Sequence, residues 1–210
     1  MIAREAEITV IDFETTGVVD AFSSEPWQIG MVRLVAGKVD EARRFESLLK
    51  VGNRPFNPKA PGNHHKLRNE IAGAPTMGEL WPELQGWWIG GPLAAHNIAV
   101  EKNIVCAAAP MHRPGPWVDT LKLARVAYPQ LDSHALGDLL ERLNLMGQVR
   151  DSCPDREPHD ALFDALGCAF LLQHLLGLEG WEGVTVAQLE AVQPEAYHRV
   201  LKERGGRASQ

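Results

Sequence analysis

Hydrophobic and polar positions divide the chain into a strand-rich first third and a longer stretch in which short strands alternate with helices. In "ITVIDFETTG" Thr9, Ile11 and Phe13 point to one side of an extended chain, and Ile8, Val10, Asp12 and Glu14 to the other. Residues 7–13 therefore read as a strand. "WQIGMVRLVAGKVDEARRFESLL" predicts a hairpin turning near Gly37-Lys38, with both faces partly apolar. Residues 51–76, rich in Pro, Asn and Gly, read as irregular. "TMGELWPELQGWW" predicts a helix with Thr76 as N-cap and Glu79 in capping-box position. "GPLAAH" and "GPWVD" read as short strands that lead into the helices "NIAVEKNIVCAAA" and "TLKLARVAY". Leu136, Leu139, Leu140 and Leu143 recur at helical spacing behind a Ser133 cap. A long helix follows from about Asp160 to Leu176. The tail from Gly180 predicts two short helices, one capped near Thr185 and one from Pro194 to Gly205.

This order predicts an α/β fold, a mixed sheet covered by helices. No linker splits the chain, so residues 1–178 are read as one domain and 179–210 as a short helical extension packed on it or trailing it. With 45% hydrophobic and 23% charged residues the composition is globular, and no apolar run approaches the ~20 residues that cross a bilayer. The charges in "MIAREAEITV" leave no apolar stretch for an export signal. Cys106, Cys153 and Cys168 form an odd set without CxxC spacing, which argues against a disulfide framework and a zinc cage and for a reducing cytoplasm. Net charge is -6, yet Ser47 to Asn69 contains no acid and carries Lys50, Arg54, Lys59, Lys66 and Arg68 with His64 and His65. Such a stretch suits either a solvated loop or a contact to a phosphate backbone.

The chemistry sits in carboxylates. Asp12 and Glu14 share one face of an apolar strand, where they would repel each other and lose hydration, so a cation is expected between them. "AAHNIAVEKNI" carries Glu101 near a helix start, and "DREPHDALFDALGCAFLL" carries His159 at a helix entry with Asp164 one turn in. The stripe below Asp164 is Gly167, Cys168 and Leu171, small and apolar, against which an unpaired Asp costs several kcal/mol. Asp119 reads as an ordinary helix cap. Asp12, Glu14, Glu101 and Asp164 are hard oxygen ligands suited to Mg²⁺ or Mn²⁺, and two such ions can hold both oxygens of a phosphoryl displacement. His159 is the neutral base of the set, able to take a proton from an attacking water at neutral pH.

"DFETTG", then "HN" with an acid four residues on, then "H" with "D" five residues on, resembles the DnaQ-like 3'→5' exonucleases of the DEDDh branch. The resemblance runs from about Glu7 to Leu176. It implies an RNase H-like fold with a mixed five-stranded sheet. It also implies two Mg²⁺ or Mn²⁺ ions held by Asp12, Glu14 and Asp164 with Glu101 helping, and His159 as general base. Substrate contacts are implied at Thr15, Thr16 and Gly17, at His64 or His65, and at the His96–Asn97 element. The implied partner is a nucleic acid with a free 3' end, single-stranded, with a polymerase or repair protein as a further partner and no membrane. One departure stands out: the family usually has Asp where this chain has Glu101, a methylene longer.

Two other readings stay open. One is a weakened or inactive module of the same fold that binds nucleic-acid ends or a partner; the other is a phosphoesterase acting on a small nucleotide. Of the tryptophans, Trp81, Trp87 and Trp88 read as core, whereas Trp27, after the loop "FSSEP", is a candidate for stacking on a base.

Overall fold

A computed structural model describes residues 1–197 of the chain. Its strands are β1 (Glu7–Thr15), β2 (Pro26–Val35), β3 (Lys38–Leu48), β4 (Leu93–Ala95) and β5 (Trp117–Asp119). The helices are α1 (Arg68–Gly73), α2 (Trp81–Trp88), α3 (Ala99–Ala108), α4 (Thr120–Ala127), α5 (Leu136–Arg142), α6 (Met146–Ser152), α7 (Ala161–Leu176) and α8 (Val186–Glu190). All five strands form one mixed sheet in the order β3-β2-β1-β4-β5. The first three pair antiparallel, and β1–β4 and β4–β5 pair parallel.

The alternation in β1 separates two cores. Ile8 and Val10 join Val32, Leu34 and the apolar length of α7 on one face. Ile11 and Phe13 join Ile29, Met31, Trp88 and Val105 on the other. Asp12 and Glu14 thus lie at the far end of the face that α7 covers. Gly30 lets α7 come that close: a Cβ there would stand 2.2 Å from the Ala161 carbonyl carbon. Among the described residues, no helix is long and apolar enough to cross a membrane.

Several local expectations change. Thr76 and Glu79 do exchange capping-box hydrogen bonds, but regular helix starts only at Trp81. Ser133 does not cap α5, whose N-cap is Ala135; its hydroxyl instead serves Asp138. Helices α1 and α6 interrupt segments read as irregular or left unassigned. Thr185 caps α8 through a capping box with Gln188, and Val186 N–H donates to Met1 O, tying the tail to the N-terminus. A helical turn begins at Pro194, and its expected end at Gly205 lies outside the described residues. Trp27 is no stacking platform. Strand β2 begins at Pro26, so Trp27 turns inward, 1% exposed, against Phe56 and Ile71.

Candidate active site

Four chain segments converge at one end of β1. Strand β1 supplies Asp12 and Glu14 before its register with β2 shifts between Glu14 and Thr15. Glu101 comes from the first turn of α3, buried at 6% exposure. The junction before α7 supplies His159, exposed and left-handed at φ 68°, and the first turn of α7 supplies Asp164. His159 N–H donates to Asp164 Oδ2 at 3.1 Å. Ligand atoms of Glu14, His159 and Asp164 lie within 4.8 Å of one another.

Packing acids this closely leaves them reluctant to ionise. Burial, then Asp164, Glu101 and Glu14, hold the Asp12 carboxyl well above its usual range. Burial and then Asp164 push Glu14 up to about 8. Burial raises Glu101 to about 7 and Asp164 to about 6, the latter opposed by the His159 N–H. One oxygen of Glu101, Oε2, is buried without a hydrogen-bond partner among the described residues. An orphaned carboxylate oxygen among mutually repelling carboxyls fits a hard divalent cation, and the donor set is that of Mg²⁺ or Mn²⁺. Asp119 is a cap, its Oδ1 accepting from Asn97, Leu121 and Lys122 N–H.

The surrounding loops are spoken for to different degrees. Thr16 spends its backbone and hydroxyl on Glu25 and Asn57, and Gly17, at φ 68°, passes so close to Asn57 that a Cβ would stand 2.9 Å from it. Thr15 closes β1 opposite Pro26. The predicted basic loop folds over the site: a Cβ on Gly62 (φ 90°) would stand 3.0 Å from His159 O and 3.4 Å from Glu14 Oε2. His64 is buried and stacked on Phe56 at 4.8 Å, whereas His65 is exposed. Arg54 pairs with Glu25 and Arg68 lies over Phe56, while Lys66 lines a cavity of about 610 Å³ that also reaches His159, Arg156 and Gln28. His96 points both ring nitrogens inward, to Thr120 Oγ1 at 3.0 Å and His134 O at 2.9 Å; Asn97 beside it is exposed and left-handed. Gln28 and Arg156, which sequence patterning did not single out, both contact Asp160 at the head of α7.

Residues 9–172 match the family described as Exonuclease (RNase_T). A DNA polymerase III subunit epsilon-like protein of Rhodobacter capsulatus is 25% identical over 197 residues, covering 92% of this chain but 27% of its own length. Exodeoxyribonuclease 10 of Escherichia coli strain K12 is 25% identical over 185 residues, covering 87% of this chain and 74% of its own. The chain therefore spans about a quarter of the first relative and about three quarters of the second. Among solved structures, exonuclease X bound to 5' overhanging duplex DNA superposes with a TM-score of 0.68 at 24% identity, over 88% of this chain and 98% of that one. The nuclease domain of 3'hExo, a DEDDh family member bound to rAMP, gives 0.62 at 18% identity, over 88% and 98%. Both likenesses support the RNase H-like architecture.

Proposed function

This chain belongs to the exonuclease family, and on that premise we propose that it removes nucleotides from free 3' ends of single-stranded DNA or RNA, releasing nucleoside 5'-monophosphates. The observation that carries the reading is the convergence of ligand atoms of Glu14, His159 and Asp164 within 4.8 Å, with Asp12 and Glu101 near enough to act on one another and on Glu14 electrostatically. A pair of Mg²⁺ or Mn²⁺ ions, when bound, supplies charge neutralisation and polarises the scissile phosphate. Asp12, Glu14 and Asp164 are the residues that would hold them, with Glu101 assisting through its orphaned oxygen.

The chain's own groups do the rest. His159, exposed at the rim and with its backbone N–H held on Asp164, takes the proton from the attacking water onto its imidazole. Burial of the carboxyls keeps bulk water from them and would strengthen their attraction for a bound cation. Thr16 N–H and C=O are paired with Glu25 and Asn57, which leaves the backbone of Thr15 and Gly17 to meet the terminal nucleotide, and of the two candidate histidines His65 is the exposed one. Lys66 lines the cavity that reaches His159, and Asn97 lines a separate one with His96 and His134. By analogy with the polymerase III subunit relative, a replication or repair protein is the proposed partner.

The test is incubation of the purified protein with 5'-labelled single-stranded DNA and RNA in Mg²⁺, Mn²⁺ or EDTA. The expected result is a ladder shortening from the 3' end with metal and none in EDTA. Binding of the oligonucleotides without cleavage in any metal would replace this reading with that of an end-binding module, for which Glu101 in place of an Asp is the motive.

A further inference from the structure

We propose that Gln28 is a positioning residue that sets His159 and Asp164 against Glu14. Gln28 is buried at 3% exposure on β2, directly opposite Glu14 in the β1–β2 ladder. Its Nε2 donates to Asp160 Oδ2 at 2.8 Å, and its Oε1 accepts from Ala161 N–H at 3.3 Å. The amide orientation is forced, because a carboxylate can only accept and a backbone N–H can only donate. Asp160 uses Oδ1 for the N-cap of α7, accepting from Leu162 and Phe163 N–H. Arg156 steadies the second oxygen at 2.9 Å and reaches Glu46 on β3 at 2.8 Å.

The cap alone would finish α7 but not say where it sits on the sheet. Gln28 and the close approach at Gly30 do that, joining the helix head to the strand that carries Glu14's neighbour. His159 immediately precedes Asp160, and Asp164 follows one turn later, so the same two hydrogen bonds locate both. A neutral amide suits this position, since Asp160 already raises the carboxyls of Asp12 and Glu14, and another acid would add to that repulsion.

The kinetic readout of this inference rests on the exonuclease reading; its metal-binding readout does not. The full chain is compared with Gln28→Leu, Gln28→Glu and the double variant Gln28→Glu/Asp160→Asn, which exchanges donor and acceptor across the pair. For Gln28→Leu, kcat at saturating Mn²⁺ is expected to fall about 10- to 100-fold with KM within about twofold. Mn²⁺ affinity by calorimetry without substrate is expected to weaken by about tenfold. Gln28→Glu is expected to be worse in both, and the double variant to recover part of the loss, because an amide at 160 can donate to the new carboxylate but no longer accepts from Arg156. Should Gln28→Leu not fold, the contrast between Gln28→Glu and the double variant decides. A folded Gln28→Leu with wild-type kcat and Mn²⁺ affinity overturns the proposal, as does a double variant no better than Gln28→Glu. A wild-type chain that cleaves nothing sinks the exonuclease reading instead, and the Mn²⁺ affinities alone then judge Gln28.

Discussion

Stripped of divalent cations, the protein is expected to lose stability as pH rises through neutrality, and Glu14 sets the scale. In the folded chain Glu14 keeps its proton up to about 8, against an ordinary 4.5 in the unfolded chain. Between those values the native state binds more protons than the unfolded state, so rising pH favours unfolding. His64, His96 and His174, whose burial lowers their pKa, act in the opposite sense below about 6.5, where the unfolded chain protonates them first. The measurement starts at pH 6.5, where the unfolded histidines are half protonated and return only a part of the loss. From there to about 8, Glu14 contributes a loss of about 2 kcal/mol at ~1.36 kcal/mol per pH unit. Glu101, raised to about 7, and Asp12 add in the same direction. For a chain of this length that is a fall in Tm of about 4–8 °C. Thermal unfolding in EDTA at pH 6.5, 7.25, 8.0 and 8.5 reads it directly, and Glu14→Gln should flatten the slope. Saturating Mn²⁺ is expected to raise Tm more at pH 8.0 than at 6.5, because a cation takes the place of the protons. A Tm in EDTA that is level or climbs with pH would refute the account of crowded carboxyls, as would indifference to Mn²⁺ at pH 8.0.

Asp12→Ala and Asp164→Asn are expected to abolish hydrolysis of a 5'-labelled strand, while His159→Ala lowers kcat by about 10²- to 10⁴-fold and leaves calorimetric Mn²⁺ binding largely intact. Full turnover by His159→Ala would remove it as the base. Glu101→Asp is expected to match or exceed wild-type activity in Mg²⁺; a large loss would mean that the site is built around the longer acid. Gly30→Ala drives a methyl to 2.2 Å from the Ala161 backbone and is expected to destabilise by about 3 kcal/mol in urea titrations. A loss under about 0.5 kcal/mol would mean that α7 does not rest on that strand.

What could be read from the chain follows from where local patterns have a single cause. The alternation in β1 is legible because both faces are buried in separate cores, and the length of α7 is legible because it is apolar nearly all round. Helix α6 left a fainter trace, with Met146, Val149 and Cys153 buried at helical spacing but Gly147 and polar residues between them. The six residues of α1 carry one buried side chain, Ile71, too few for any period. Trp27 misleads for a different reason: a loop and a strand meet at Pro26, and one residue either way decides whether an indole faces water or Phe56.

The site divides along the same line. Acids on an apolar strand face or beneath a small-residue stripe have no local use, so Asp12, Glu14 and Asp164 announce themselves as candidates from one short segment each. Glu101 and His159 lean on spacing to those acids. Gln28 has no such signal, because a glutamine in a strand is locally ordinary and its partners Asp160 and Ala161 lie more than 130 residues away. Charge concentrated where it should not be is visible in a sequence, while the neutral groups that hold it in register become visible only when distant segments meet. Variants of the acids would therefore report on whether chemistry occurs at this end of β1, and variants of Gln28 on how accurately the fold aims it.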